Sequence, residues 1–181
     1  MILPKIRDKR LITVRRGGTL SDEDHHLLAI WAAECAQHVL HYFEAAQPND
    51  DRPRRAIVLT DAWVKGEITM KQAHMTAFIA NAAARDVAGA ARFAALSAGQ
   101  AVAVAHVAAH ELGAAAYAIR AAIAAAPDDK KELARQQECQ WQRDQLPEKI
   151  RELVLDDQRL RNDICWSVFN ELSANPLQMK K

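Results

Sequence analysis

Glycine, proline and aromatic residues are scarce in this chain of 181 residues. It contains six glycines and six prolines, and aromatic side chains make up only 6% of it. A β-sheet protein needs many turn residues and many β-branched residues, and this sequence has few of either. Alanine, the best helix former, supplies much of its hydrophobic half. The composition therefore predicts an all-α fold, a compact multi-helix bundle with an extended N-terminal arm.

Cysteine is also scarce, and its spacing excludes the common paired-thiol motifs. Cys35, Cys139 and Cys165 are far apart, and none of them forms a CxxC pair. Isolated thiols in odd number are typical of a reducing compartment. The N-terminus is charged from Lys5 onward and lacks the apolar segment of a signal peptide. We therefore expect a cytoplasmic protein.

Long hydrophobic runs are absent from the alanine-rich middle of the chain. Arg85, Asp86, Arg92, His106 and Glu111 interrupt it. Alanine itself is too weakly apolar to drive insertion into a bilayer. We therefore expect no membrane span and no membrane partner.

Neither sign of charge dominates, because the formal net charge is only +1. That balance does not require nucleic acid, and we do not expect a nucleic-acid partner. The N-terminal segment is nevertheless basic. Such an arm can contact phosphate groups, but the pattern favours a solvated arm. Its basic residues are Lys5, Arg7, Lys9, Arg10, Arg15 and Arg16.

Changes in pattern divide the chain into three parts. Residues 1–20 form the arm, residues 21–174 a helical domain and residues 175–181 a C-terminal tail. Gly17 and Gly18 disfavour a helix in the arm.

Capping residues predict where the first helices begin and end. Ser21 is a good N-cap for the first helix, and Asp51 for the second. Gly66 fits the C-terminal end of the second helix. Thr69 and Gln72 have the spacing of a capping box for a third helix.

Helical periodicity predicts the remaining elements. Gly99 and Gly113 are the candidate breaks in the long helix-forming stretch 87–126. The last helix is predicted to run from Pro147 to the Asn175–Pro176 pair. In the third helix one inner face is predicted, made of Met70, His74, Phe78 and Asn81.

Two histidines form the best candidate for a metal site. His106 and His110 are four residues apart, which places them on one face of a helix, and Tyr117 follows on the same stripe. Glu111 points elsewhere, so the HExxH arrangement is absent, and no third ligand can be assigned. We therefore expect no metal and no other cofactor. His38 follows Cys35 by three residues, but a packed thiol is the favoured interpretation of that pair.

The densest charge cluster is Asp50-Asp51-Arg52-Pro53-Arg54-Arg55, which we name the charged corner. One interpretation is a capped helix start with solvated ion pairs. The other is a recognition site, because arginine forks suit carboxylates and phosphates. The chain has no P-loop, GxGxxG or GxSxG motif, so a general enzyme interpretation has little support.

The charged corner also carries a resemblance to a known family. Its Asp-Asp-Arg-Pro-Arg run is the most specific of several matching segments. The others lie at 16–20, 24–29, 31–36, 105–108 and 145–154. Over roughly residues 15–154 the chain resembles bacterial immunity proteins associated with polymorphic-toxin systems. The resemblance implies an all-helical fold and protection of a cell from a toxin, and it brings no catalytic residues.

The leading hypothesis is therefore a non-enzymatic immunity protein that binds and neutralises a cognate toxin. Its expected partner-binding residues are Asp50, Asp51, Arg52, Arg54 and Arg55. A near-neutral chain does not support a basic nuclease as the toxin. Two alternatives stay open: a helical metal-dependent enzyme using His106 and His110, and a homo-oligomeric structural module. A homodimer fits the low bulk of an alanine-rich core.

Overall fold

The computed structural model describes residues 3–170, which form α-helices and short 3₁₀ turns, with no β-strand among them. The all-α prediction is confirmed. One isolated bridge joins Thr13 to Leu20. No helix within residues 3–170 is both long and apolar enough to cross a membrane. The α-helices of this part are α1 (Asp22–Ala46), α2 (Arg52–Val64), α3 (Met70–Ala83), α4 (Gly89–Ala103), α5 (Glu111–Ala125), α6 (Lys131–Asp144) and α7 (Glu148–Arg161).

The centre of the bundle is the pair α4 and α5. Helix α4 contacts α1, α2, α3 and α5, and α5 also contacts α1 and α6. The buried residues of this pair are mostly alanines, which let helix axes approach closely. The largest buried side chains come instead from α1, namely Trp31 and Phe43. The core therefore joins bulky residues of one helix to small residues of two others.

Three predicted helix ends are confirmed. The Ser21 hydroxyl accepts a hydrogen bond from the Asp24 N–H at 3.0 Å, so Ser21 caps α1. Thr69 and Gln72 form the reciprocal capping box of α3. Gly66 follows α2 with φ at +75°, and its N–H donates to the Trp63 carbonyl at 2.9 Å. These ends depend on local chemistry, which the sequence displays directly.

The predicted N-cap position of α2 is correct, but the predicted side-chain cap is not formed. Asp51 occupies the N-cap position, but its side chain accepts no capping hydrogen bond. Its backbone, at φ −89° and ψ 0°, lacks the extended conformation that side-chain capping usually requires. The Asp50 carboxylate accepts from the Arg52 N–H instead, at 3.1 Å.

Gly99 and Gly113 do not break helices, which corrects that prediction. Each lies inside a helix at a close approach: a Cβ on Gly99 would overlap the Asn81 side chain. A Cβ on Gly113 would lie 2.6 Å from Gln100 Oε1. The break falls between them, where α4 ends at Ala103 and the 3₁₀ turn Ala108–His110 leads into α5.

The predicted inner face of α3 is also wrong. Phe78 is 59% exposed and Met70 is exposed, whereas Ala73, Ala77 and Ala80 face the core. Helix α3 packs on the alanine-rich α4, and close packing there selects the small side chains of α3.

The N-terminal arm is more folded than an extended segment. It contains the 3₁₀ turns Lys9–Leu11 and Val14–Arg16. Leu11 and Leu20 are each only 3% exposed. The arm therefore packs on the helices through its leucines.

The last helix ends earlier than predicted, at Arg161. Trp166 and Ser167 then adopt positive φ, and the chain turns back over α6. Arg135 of α6 donates to the Val168 carbonyl at 2.7 Å, and Arg143 donates to the Phe169 carbonyl at 3.0 Å. These bonds satisfy carbonyls of the returning segment. The predicted stop at Asn175–Pro176 lies outside the described residues.

Candidate functional site

Arg52 of the charged corner forms ion pairs with two aspartates. Its Nη2 lies 2.6 Å from Asp50 Oδ2 and 2.8 Å from Asp86 Oδ2. Asp86 belongs to the connection between α3 and α4, so Arg52 joins two loops. Hydrogen bonding from Arg52 lowers the pKa of Asp50, and the same bond raises the pKa of Arg52. Arg52 therefore has a structural role, with its fork already occupied.

The other two arginines of the corner differ from Arg52. Arg54 Nε lies 2.6 Å from Glu44 Oε1 near the end of α1, in an ion pair open to solvent. Arg55 is exposed, and no ion pair or hydrogen bond to its side chain occurs within residues 3–170. Asp51 is exposed as well. The corner therefore presents Arg54 and Arg55 to a partner more readily than Arg52.

An apolar groove of about 590 Å³ runs between α1, α2 and α6. We name it the α1–α2 groove. Ile30 of α1, Val58 of α2 and Trp141 of α6 line it, and Val58 is 59% exposed. The faces of α1 and α2 that line the groove continue at helical spacing to Glu44 and Arg54. The charged corner thus adjoins one end of the groove.

Glu34 stands on the wall of the α1–α2 groove. Partial burial raises the pKa of this carboxyl group. No ion pair reaches it from the part of the chain that the structure describes. Sequence reasoning missed the groove, although Ile30 and Val58 gave a signal: they are large apolar residues outside the inward stripes.

His38 also lies on the groove wall, with its ring stacked on Trp141 at a centroid distance of 3.7 Å. Its Nδ1 is 2.8 Å from Glu138 Oε2. Gln142 donates to the other oxygen of Glu138 at 2.9 Å. Cys35 is fully buried, and burial raises the pKa of its thiol well above the ordinary value. His38 is therefore a wall residue in a polar network, and Cys35 is a packed thiol.

The two candidate metal-binding histidines do not share a helix face, which corrects that prediction. His106 lies in the connection after α4, and its ring stacks on His74 at a centroid distance of 4.2 Å. His110 Nδ1 bonds Gln100 Oε1 at 2.8 Å, and burial lowers the pKa of His110 to about 4. Tyr117 contacts Trp166, at 5.1 Å between ring centroids. Within residues 3–170 no group of three His, Cys, Asp or Glu side chains is arranged to hold a metal ion.

Sequence reasoning also missed a buried ionic cluster. Glu111 of α5 accepts from Arg161 of α7 at 2.9 Å, and both side chains are at most 4% exposed. Arg161 also bonds Asp157 and the Ala109 carbonyl. Burial raises the pKa of Glu111, and the nearby guanidinium opposes that rise. These groups hold α7 against the start of α5 and are closed to substrates.

Comparison with known proteins assigns the chain to a family. No curated protein and no solved structure matches it. A family model described as "Imm-5 like putative immunity protein" matches residues 18–149. That range contains α1 to α6, the charged corner and the residues that line the α1–α2 groove. The chain therefore belongs to the Imm-5-like immunity protein family.

Proposed function

We propose that this protein is a cytoplasmic immunity factor that binds a bacterial toxin and neutralises it without catalytic turnover. The observation that carries the proposal is the family match over residues 18–149. Binding alone is enough for this function, because a protein that covers the toxin's active surface blocks it. The proposal therefore requires a partner surface and no reaction.

The charged corner and the α1–α2 groove are the proposed toxin-binding surface. Interfaces combine an apolar centre with a polar rim, and arginine is enriched among their strongest contacts. The groove offers Ile30, Val58 and Trp141 as the centre. Arg54 lies beyond one end of it, and Arg55 is the next residue of α2. This arrangement supports one continuous surface along α1 and α2.

Within the corner, Arg54 and Arg55 are proposed to contact the toxin, while Asp50, Asp51 and Arg52 form and orient the corner. Among residues 3–170, Arg54 pairs only with Glu44, in a solvent-exposed bridge, and such bridges contribute little. A toxin carboxylate can therefore replace Glu44 at small cost. Arg55 is exposed and has no ion pair within residues 3–170, so a toxin carboxylate can pair with it without replacing another group.

The proposal is tested by protection of cells that express the toxin encoded beside this protein. The double variant Arg54→Ala, Arg55→Ala should fold as the wild type does and lose protection. Loss of a buried interfacial charge contact costs about 2–5 kcal/mol of binding free energy. Survival of the co-expressing cells is the measurement.

A matched control removes two exposed arginines elsewhere. Arg85→Ala with Arg92→Ala changes the net charge by the same amount but leaves α2 intact, and it should protect fully. Equal protection by both double variants would show that Arg54 and Arg55 of the charged corner do not contribute to toxin binding. If the wild-type protein protects against no neighbouring toxin, the immunity proposal itself is wrong.

A further inference from the structure

A second cavity, of about 530 Å³, lies where the N-terminal arm crosses the helices; we name it the arm cavity. The arm contributes Arg7, Arg15 and Arg16 to its lining. Aromatic rings also line it: His25 of α1, Trp63 from the end of α2 and His106 from the connection after α4. These residues are distant in sequence, so the cavity forms only when the arm packs on the bundle.

The positive charge of the arm cavity is only partly compensated. Arg15 donates to Asp22 at 2.8 Å, in an exposed pair. Neither Arg7 nor Arg16 has an ion pair with any of residues 3–170, and no carboxylate is among the described residues that line the cavity. Like charges in one cavity repel each other, and they attract an anion. The two guanidinium groups without a carboxylate partner, those of Arg7 and Arg16, together match the charge of a dianion.

His106 adds a second, independent observation. Its Nδ1 is buried and has no hydrogen-bond partner within the described chain. The pKa of His106 is lowered, first by burial and then by the positive charge of His74, Arg16 and Arg7. The neutral ring leaves this nitrogen without a partner in either tautomer. The His106 ring lines the cavity and makes no hydrogen bond to any of residues 3–170, so the ring is available to a ligand there.

We propose that the arm cavity binds a phosphate dianion, either free or as the monoester group of a small molecule. Arg7 and Arg16 pair with its charge, and the His106 ring, which lines the cavity, donates to one of its oxygens. Guanidinium forks match phosphate oxygens in geometry, and a phosphate monoester carries about 1.5–2 negative charges at neutral pH. The volume is in the range of small-molecule sites, and Trp63 offers an apolar wall for a larger group. The proposal does not depend on toxin neutralisation.

Titration calorimetry of the full chain tests the proposal at constant ionic strength. The ligands are inorganic phosphate, adenosine 5′-monophosphate as a monoester, and acetate as a monoanion. We expect saturable binding of one phosphate per chain, with acetate bound at least about tenfold more weakly. Tighter binding of the monoester than of phosphate identifies a monoester as the ligand. Equal affinities for phosphate and the monoester indicate that the cavity recognises only the phosphate group.

Paired variants decide whether the arm cavity is the site. Arg7→Gln with Arg16→Gln should weaken phosphate binding at least about tenfold. Arg85→Gln with Arg92→Gln, which removes the same charge from exposed positions elsewhere, should bind as the wild type does. The ring nitrogen signals of His106 should shift on phosphate addition in the wild type and the control only.

Three results would overturn the proposal. One is the absence of saturable binding by both phosphate and the monoester. Another is equal weakening in the two double variants, which would indicate diffuse attraction to positive charge. The third is binding of a single-stranded oligonucleotide with no binding of either small ligand, which would indicate a nucleic-acid surface instead.

Discussion

Asp50 and Asp51 are adjacent carboxylates with different surroundings. Asp50 accepts from both the backbone N–H and the side chain of Arg52, whereas Asp51 is exposed and caps nothing. Asp50→Ala should therefore lower the free energy of unfolding by about 1–2 kcal/mol, with allowance for partial exposure of the pair. Asp51→Ala should cost about 0.5 kcal/mol or less, mainly through the helix dipole.

Urea unfolding of both single variants beside the wild type measures the difference. The two substitutions remove the same group from neighbouring positions, so each is the control for the other. A larger loss in Asp51→Ala than in Asp50→Ala would restore Asp51 as the structural cap of α2. The arginine pair proposed to contact the toxin is unchanged in both variants.

The charged corner is visible in the sequence, but the acidic residues that pair with its arginines are not. Asp50 and Arg52 are two residues apart, so their pairing follows from the helix start itself. Asp86 is 34 residues from Arg52, and Glu44 is ten from Arg54. Which acid meets which arginine depends on how α1, α2 and the α3–α4 connection pack. No local pattern contains that information.

At the scale of elements, local sequence determines the helix ends, whereas packing against neighbours determines which face of a helix is buried. Ser21, Gly66 and the Thr69–Gln72 box act within one turn, and the sequence predicted them correctly. The inner face of α3 depends on its neighbour: the alanines of α4 select Ala73 and Ala77 over Phe78. Periodicity alone favours the larger apolar residues, so it predicted the wrong face.

Substitution of Gly99 tests whether packing against α3 outweighs helix propensity in α4. Alanine is a better helix former than glycine, so the sequence alone predicts that Gly99→Ala stabilises α4. In the structure the new methyl group would overlap the Asn81 side chain of α3. We expect Gly99→Ala to lower the free energy of unfolding by about 1–3 kcal/mol through overpacking.

The double variant Gly99→Ala, Asn81→Ala isolates the cause of that loss. Removing the Asn81 amide makes room for the methyl group, so the double variant should be more stable than Gly99→Ala alone. Thermal unfolding of the two single variants and the double variant gives the coupling between the positions. Additive effects would show that helix α3 does not limit the space at Gly99.

At the scale of the whole molecule, the charged corner and the arm cavity lie at opposite ends of α2, and the α1–α2 groove runs between them. Arg54 is in its first turn and Trp63 in its last, about 14 Å apart along the helix axis at 1.5 Å per residue. Sequence reasoning found the charged corner because its residues are contiguous. It expected a solvated arm and missed the arm cavity, because packing of the arm brings Arg7, Arg16 and His106 together. A contiguous charge cluster is visible in a sequence, whereas a cavity that distant residues assemble requires the fold.

This separation predicts that the charged corner and the arm cavity act independently. Arg54→Ala with Arg55→Ala should lose protection and bind phosphate as the wild type does. Arg7→Gln with Arg16→Gln should lose phosphate binding and protect fully. Sites more than about 10 Å apart with no shared contacts usually give additive effects, so the quadruple variant should show both losses and no further one. Calorimetry and the survival assay measure the two functions in all four proteins. A change in toxin affinity when phosphate is added to the wild type would contradict independence, and it would identify α2 or the α1–α2 contact as the element that couples the sites.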